Sequence, residues 1–353
     1  MSSNLLLYGA SGYTGSLIAR LAVQRGLRPI LAGRNSTKIE PLSTQLGLEY
    51  RAFSLDDDAA VDEALADVVA VLHCAGPFSH TSKPMVSGCL RTKRHYLDIT
   101  GEVAVFEAIA ARNNDAKAAG VMLLPGVGFD VVPSDCLAAH LKARLPSATR
   151  LALGFQALGK ISRGTATTMV EAQNQGGGVR RGGVLTPVPA AGRTRFIDFG
   201  QGAVTATTIP WGDISTAFYS TGIPDIEVYV AFPTSIRIGM VASRYLGWLL
   251  GLSAVQNFQK RLVQNQPPGP TETERAQGKS LLWGEVEDNS GKRLVSRLQC
   301  LEGYTLTALT ALAIAQKVLA GQVAVGFQTP SLVYGADFIL EIEGVVREDL
   351  DSQ

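Results

Sequence analysis

The sequence lacks the residue patterns of several functional classes. Its 353 residues include only four cysteines, Cys74, Cys89, Cys136 and Cys300, and no two of them form a C-x-x-C pair. Zinc-type spacing is therefore absent, and a chain of this size with so few cysteines is not expected to depend on a disulfide framework. The four histidines form no H-x-x-x-H pair, so no metal site is predicted.

An excess of charge of one sign is also lacking. The chain has 32 basic and 31 acidic residues, a formal net charge of +1, and it does not interleave aromatic with basic residues. This balance gives no electrostatic reason to expect a nucleic acid as a partner. Residues 1–4 carry no basic group, and the first apolar stretch is too short for a signal peptide, so we predict a cytoplasmic location.

One long apolar run is present, residues 236–255, with the sequence IRIGMVASRYLGWLLGLSAV. It is about long enough to span a bilayer, but Arg237 and Arg244 interrupt it and glycines weaken it as a helix. We favour a buried or interfacial helix that packs in the core or in a dimer interface. A hydrophobic substrate entrance, contact with a membrane surface and a true membrane span are the alternatives that the sequence leaves open.

The N-terminal residues have the layout of a dinucleotide-binding βαβ unit. An apolar strand at 5–8 runs into a glycine-rich turn, a helical pattern follows at 17–22, and a second apolar strand occupies 29–32. Glycines let the backbone turn tightly and approach a pyrophosphate, which sits at the helix N-terminus. A purely structural turn is the alternative. The residues predicted to bind the cofactor here are Gly9, Ala10, Ser11, Gly12, Tyr13, Thr14 and Gly15.

The end of the second strand indicates which cofactor binds. An NAD site has a carboxylate at this position for the ribose hydroxyls, whereas this chain has Arg34, followed by Asn35 and Lys38. A guanidinium binds a phosphate with paired hydrogen bonds, and a carboxylate would repel it. We therefore predict NADP(H), with a solvated arginine at a strand end as the alternative.

Strand and helix patterns alternate through the first third of the chain, which predicts an α/β fold with a doubly wound parallel sheet. Predicted helices in this part cover 84–93 and a single stretch up to 119. From residue 150 strand patterns dominate, which predicts a second, mixed α+β domain for the substrate and for dimerisation. We expect the domains at 1–132 and 133–302, with a helix at about 303–330 packing back on the first and a C-terminal strand and tail at 331–353. The glycines at 176–178 are interpreted as a linker.

Ligands in an open parallel sheet bind beyond the carboxyl ends of the strands, where small residues let the cofactor approach the backbone. Further residues at these predicted ends extend the candidate cofactor site. They are Cys74, Ala75, Gly76, Pro77, Phe78, Thr100, Gly101 and Gly126. Ordinary turn chemistry is the alternative for each of these loops.

Two reductase classes with similar glycine turns are disfavoured. None of the nine tyrosines is followed by a lysine at the fourth position, so the Tyr/Lys chemistry of short-chain dehydrogenases is not expected. Cys136 begins an apolar helical face, and we interpret it as a core cysteine rather than as the thiolate that acyl-phosphate reductases need.

Taken together, the motifs GASGYTG (9–15), CAGPF (74–78), YLDITGE (96–102), PGVGFDVVPSD (125–135) and GFQTP (326–330) resemble those of the saccharopine dehydrogenase-like oxidoreductases. This family includes bacterial trans-acting enoyl reductases. The resemblance implies a Rossmann domain, a substrate and dimerisation domain, a C-terminal helix that returns toward the first domain, and a homodimer.

A reductase needs a positioned cofactor and, in many cases, a proton donor. Glu102, Asp130 and Tyr96 are the candidate acids near the predicted nicotinamide position. Each has an alternative interpretation: Glu102 and Asp130 as helix caps or structural acceptors, and Tyr96 as a packing residue. Water is a further source of the proton.

The sequence therefore predicts an NADPH-dependent reductase of a C=C or C=N bond in a hydrophobic biosynthetic intermediate, either a small molecule or a carrier-tethered substrate. Two alternatives are left open. One is reductive amination of an amino acid, as in saccharopine synthesis. The other is a protein that binds NADPH as a sensor or scaffold without catalysis.

Overall fold

The computed structural model describes residues 4–172, 176–234, 236–241 and 252–350. The chain divides into two compact units. The first unit comprises Met1–Val132 and Tyr304–Val333, and the second comprises Pro133–Gly303 and Tyr334–Gln353. The chain thus leaves the first unit after residue 132 and returns to it at residue 304.

Strands and helices alternate in the first 124 residues. They are β1 (Leu5–Tyr8), α1 (Tyr13–Gln24), β2 (Ile30–Gly33), α2 (Ser36–Leu46), β3 (Tyr50–Ala52), α3 (Asp58–Leu65), β4 (Ala70–His73), α4 (Phe78–Thr92), β5 (His95–Asp98), α5 (Val103–Ala110), α6 (Asn113–Ala119) and β6 (Met122–Leu124).

The middle of the chain is richer in strands. Its elements are α7 (Val132–Arg144), β7 (Ala148–Leu158), α8 (Arg163–Ala172), β8 (Gly177–Arg181), β9 (Val184–Val188), β10 (Thr194–Asp198), β11 (Ala203–Thr208), α9 (Asp213–Thr221), β12 (Asp225–Val230), α10 (Ser253–Gln264), α11 (Glu272–Gln277), β13 (Lys279–Asp288) and β14 (Arg293–Leu301).

The last part of the chain contributes to both units. It contains α12 (Gly303–Leu319), β15 (Gly326–Phe327), α13 (Pro330–Tyr334), a 3₁₀ helix (Phe338–Glu341) and β16 (Val346–Leu350).

The first unit contains a seven-stranded sheet in the order β15-β6-β5-β4-β1-β2-β3, in which every neighbouring pair is parallel. The central strands β1 and β4 are buried at every position, as expected where helices cover both faces of a parallel sheet. The order reverses between β1 and β4, and the carboxyl ends of the strands on either side of this point form the usual ligand-binding edge.

The second unit contains a nine-stranded mixed sheet. Its main path runs β10-β11-β12-β7-β13-β14-β16, and β8 pairs with β12 and with β9. Only β12 and β7 are parallel, and the other pairs are antiparallel. The predicted α/β fold, with a doubly wound parallel sheet and a second mixed domain, is confirmed.

Three local predictions are wrong. The helix expected from residue 84 begins at Phe78, so Pro84 lies inside it. The helix expected to run to Ala119 is two helices, because the chain breaks at Arg112 before α6 begins. The predicted linker at 176–178 belongs largely to β8, where Gly177 and Gly178 pair with β9.

The apolar run at 236–255 lies partly outside the described residues. Residues 236–241 are helical, and α10 begins at Ser253. Among the residues that the structure describes, no helix is both long and apolar enough to cross a membrane.

Candidate active site

The turn between β1 and α1 requires glycine at two positions. Gly9 has φ +84°, and a Cβ there would lie 2.7 Å from the backbone nitrogen of Ala75. A Cβ on Gly15 would lie 2.3 Å from the carbonyl oxygen of Gly9. The turn is held against β2 by the amide of Gly9, which donates to the carbonyl of Ala32 at 2.8 Å. These contacts explain the spacing of the glycines, because larger residues would separate the strand ends from the helix.

The N-terminus of α1 is suited to an anion. Its N-cap residue is Gly12, which has no side chain to accept from the first-turn amides, and the first turn contains no acidic residue. Ser11 and Gly12 are exposed. A helix end of this kind favours a phosphate through the backbone amides and the helix dipole.

Arg34 follows β2 and its side chain is exposed, as is that of Lys38. Burial raises the pKa of the Tyr8 phenol to about 12. The positive charge of Arg34 acts on Tyr8 as well and offsets part of this increase. Asn35 caps α2 by accepting from the amide of Thr37 at 3.0 Å. The next acidic residue along the chain is Glu40, and Asp56 is the acidic residue whose charge also reaches Tyr8.

The loop after β4 is built on a buried histidine. His73 is fully buried, and its Nε2 lies 3.0 Å from the hydroxyl of Thr81. That hydroxyl donates to the carbonyl of Ala75 at 2.6 Å. Burial lowers the pKa of His73 to about 3, so the ring is neutral at physiological pH. A neutral ring with its proton on Nε2 can donate to the Thr81 oxygen, while the Thr81 proton goes to Ala75, and so hold the loop at 74–78 against the start of α4.

Glu102 caps the N-terminus of α4. Its two carboxylate oxygens accept from the amides of Phe78 at 2.8 Å and Ser79 at 3.0 Å. These two hydrogen bonds join the loop after β5 to the start of α4, directly after the loop that follows β4. The structural interpretation of Glu102 therefore has direct geometric support, whereas its role as an acid stays a prediction.

Tyr96 is fully buried on β5 and donates to Asp98 at 2.7 Å. Asp98 also accepts from the amides of Thr100 and Gly126, both at 2.9 Å, which ties together the ends of β5 and β6. Burial raises the pKa of Asp98 to about 6. Tyr96 thus lies in the core beneath the strand ends, and its role as an acid also stays a prediction.

Asp130 differs from these two candidates in its surroundings. It lies against the backbone of Gly101, where an added Cβ would be 2.9 Å from a carboxylate oxygen. Burial raises the pKa of Asp130 to about 7. A carboxyl group with this pKa is protonated in about half of the molecules near neutral pH, which suits it to give and regain a proton.

The site also includes α12 residues that the sequence analysis did not identify. Thr307 accepts from the amide of Phe129 at 3.0 Å, and Thr310 donates to the carbonyl of Val127 at 2.8 Å. The ring of Tyr304 meets that of Tyr13 edge to face, with centroids 5.1 Å apart. These α12 residues are far along the chain from their partners at positions 13–129, so no local sequence pattern predicts the contacts.

The predicted residues other than Tyr96, which lies beneath the strand ends, therefore meet at one edge of the first unit, but with different exposures. Ser11, Gly12, Arg34, Asn35, Lys38 and Gly76 are exposed; Gly9, Tyr13, Thr14, Cys74, Ala75, Pro77, Gly101, Glu102 and Asp130 are half-buried; and Ala10, Gly15, Phe78, Tyr96, Thr100 and Gly126 are buried. Within the described ranges, no group of three or more His, Cys, Asp or Glu side chains is arranged to hold a metal ion.

Comparisons with known proteins agree with this geometry. Residues 5–124 match the family of the saccharopine dehydrogenase NADP binding domain. A trans-acting enoyl reductase of Mycobacterium leprae is 33% identical over 140 residues, covering 37% of this chain and 34% of the relative. A human saccharopine dehydrogenase-like oxidoreductase is 24% identical over 152 residues, covering 37% and 35%. The alignments thus span about a third of the length of these curated relatives.

A solved structure extends the likeness in fold over both units. Saccharopine dehydrogenase (L-Glu forming) from Saccharomyces cerevisiae matches with a TM-score of 0.68 over 99% of this chain and all of that one, at 13% identity. At this identity the match shows the fold alone. The predicted resemblance to saccharopine dehydrogenase-like proteins and the predicted cofactor, NADP(H), are confirmed.

Proposed function

We propose that this chain, whose residues 5–124 form a saccharopine dehydrogenase NADP binding domain, is an NADPH-dependent reductase of a C=C or C=N bond in a hydrophobic substrate. One observation carries the proposal. A carboxyl group with a pKa of about 7, that of Asp130, lies at the same sheet edge as the glycine turn. The position of Asp130 beside Gly101 at this edge supports its role as the proton donor of the proposed reaction.

The residues of the first unit fit the cofactor that the family implies. The glycine turn admits a pyrophosphate close to the backbone, and Arg34 is available to a 2′-phosphate. When bound, NADPH supplies the hydride. Small residues at the strand ends, such as Ala75 and Gly101, leave room for the nicotinamide ribose beside the backbone.

The protein's own contribution is position and a proton. Asp130 in its neutral form donates a proton to the atom of the substrate that does not receive the hydride, and it regains the proton from solvent. Glu102 holds the loop after β4 by accepting from Phe78 and Ser79. Asp98 holds the ends of β5 and β6, and so fixes the backbone at Gly101 against which Asp130 packs.

The test is NADPH consumption over a panel of acyl-chain enoyl thioesters, cyclic imines, and pairs of a keto acid with an amino acid. We expect turnover with an enoyl thioester or an imine. Turnover with the keto-acid pairs alone would replace the proposal by reductive amination. No turnover on free or carrier-linked substrates, with NADPH shown to bind, would contradict catalysis and favour a sensor or scaffold.

A further inference from the structure

The helix α10 in the second unit exposes its apolar side chains. Phe258 is 61% exposed and Leu262 is 52% exposed, and their spacing of four residues places them on one face. Leu252, just before the helix, is 47% exposed. Scattered exposed apolar residues are common, but a row of them along one helix face marks a surface that contacts something else.

The opposite face of α10 packs on α8. Val263 is buried there in a small cluster with Ala166 and Val170. The half-buried residues of α10 are Val255, Gln256, Gln259 and Lys260. Large apolar side chains thus lie on the exposed face of α10 as well as on the packed face, whereas a surface helix usually keeps them on the packed face alone.

The same part of the chain is free of carboxylates. Residues 228–271 contain no aspartate or glutamate, although 31 acidic residues in 353 would place about four in a stretch of this length. The stretch contains four cations, Arg237, Arg244, Lys260 and Arg261. Within it, the helical residues 236–241 also expose apolar side chains, those of Ile236, Ile238 and Val241.

We propose that the exposed face of α10, together with residues 236–241, docks on the surface of an anionic lipid bilayer. Apolar side chains interspersed with cations, on a helix that lies flat, are the features that bind such an interface. The fit of charge selects this occupant over a second copy of the chain, because a symmetric contact through this face would bring like charges together.

Docking on a bilayer would bring the protein close to hydrophobic substrates, because such molecules are concentrated there. It does not depend on the proposed reductase activity, since it rests on residues of the second unit alone. Failure of the substrate panel would leave it untouched.

The experiment is co-sedimentation of the full chain with vesicles of phosphatidylcholine alone or mixed with phosphatidylglycerol. We expect binding to the anionic vesicles only, weakened by salt. The double variant Phe258→Ser/Leu262→Ser should reduce the partition constant by about a hundredfold, because each side chain contributes about a factor of ten. Arg261→Glu should reduce it by about tenfold.

The matched control is Phe196→Ser on β10. Phe196 is 77% exposed in the same unit but lies outside the carboxylate-free stretch, so its replacement should leave vesicle binding unchanged. Retained NADPH binding and an unchanged circular dichroism spectrum show that each variant is folded.

Three results would overturn the proposal. The first concerns the wild-type chain alone: it binds neutral and anionic vesicles equally, or it binds neither. The second is equal weakening by Phe196→Ser. The third is a dimer, measured by light scattering, that dissociates in the Phe258→Ser/Leu262→Ser variant while vesicles are not bound, which would assign the surface to a second copy.

Discussion

Arg34 is the residue that we expect to choose between the two nicotinamide cofactors. Its side chain is exposed at the end of β2, and no acidic residue follows it before Glu40. Arg34→Ala should weaken NADPH binding by about 10- to 100-fold, the loss expected for charge-assisted hydrogen bonds of about 1.5–3 kcal/mol. Binding of NADH should change little.

Fluorescence titration with NADPH and NADH measures this preference. Arg25→Ala is the matched control, because Arg25 is also exposed but lies at the other end of α1. Equal affinities of the wild-type chain for both cofactors would contradict the assignment of Arg34.

Asp130 is the residue on which we expect the pH dependence of turnover to rest. Its neutral form is the donor, and its pKa is about 7, so turnover should be high below pH 7 and fall as the pH rises above it. Asp130→Asn should lower turnover by about a hundredfold and remove this fall. Glu102→Gln is the comparison, because it removes the carboxylate of the other candidate acid while its amide oxygen keeps one of the two hydrogen bonds to α4.

Asp130→Asn should lower turnover but raise the free energy of unfolding near and above neutral pH. The pKa of Asp130 is raised from 3.8 in folding, so the folded state binds the proton more tightly than the unfolded state. The free energy of unfolding therefore falls as pH rises from about 4 to about 7. Thermal melts should show Asp130→Asn more stable than wild type above pH 7, with the difference vanishing below pH 4.

Full turnover in Asp130→Asn would contradict the role of Asp130 as the proton donor.

At the scale of elements, α12 completes the first unit although it follows the second in the sequence. Leu306, Leu312 and Ile314 are fully buried, and Thr310 donates to the loop after β6. β15 also pairs with β6 and so covers the edge of the parallel sheet. Without α12 and β15 this apolar surface and this sheet edge would meet water.

A fragment of residues 1–132 should therefore not fold into a stable cofactor-binding unit. Joining it to residues 304–333 through a flexible Gly/Ser linker should restore a cooperative melt and NADPH binding. Circular dichroism and fluorescence titration measure the two properties. If residues 1–132 alone melt cooperatively and bind NADPH as tightly as the full chain, α12 is not needed for this unit.

The elements that the sequence mispredicted share a physical cause. The helix predicted over 84–93 begins earlier than its sequence pattern indicates. The actual start, Phe78, is stabilised by the carboxylate of Glu102, which lies 24 positions further along the chain. Likewise, Gly177 and Gly178 carry no strand signal of their own, and their pairing with β9 supplies it. Capping and pairing by distant residues are not visible in a local pattern.

At the scale of the whole molecule, the two units differ in how much of them a sequence reveals. The parallel sheet of the first unit has strands that are buried along their whole length, so they appear as continuous apolar runs between helices. Several strands of the mixed sheet are short and half-exposed, such as β9 with the sequence VLTPV. The sequence pattern of β9 resembles that of a loop. The sequence likewise does not predict β8 and α9.

The cofactor-binding unit and its ligand are predictable from the sequence alone. The close approach of Gly15 to Gly9, the apolar strands and the cation Arg34 each depend on residues that are near one another in the sequence, so a local pattern predicts them.

The different surroundings of the candidate acids are visible in the tertiary structure and not in the sequence. Glu102 caps a distant helix, whereas Asp130 packs beside Gly101 with its pKa raised by burial. Burial and hydrogen-bond partners depend on residues that are far apart in sequence, and for that reason two carboxylates that the sequence does not distinguish have different surroundings in the fold.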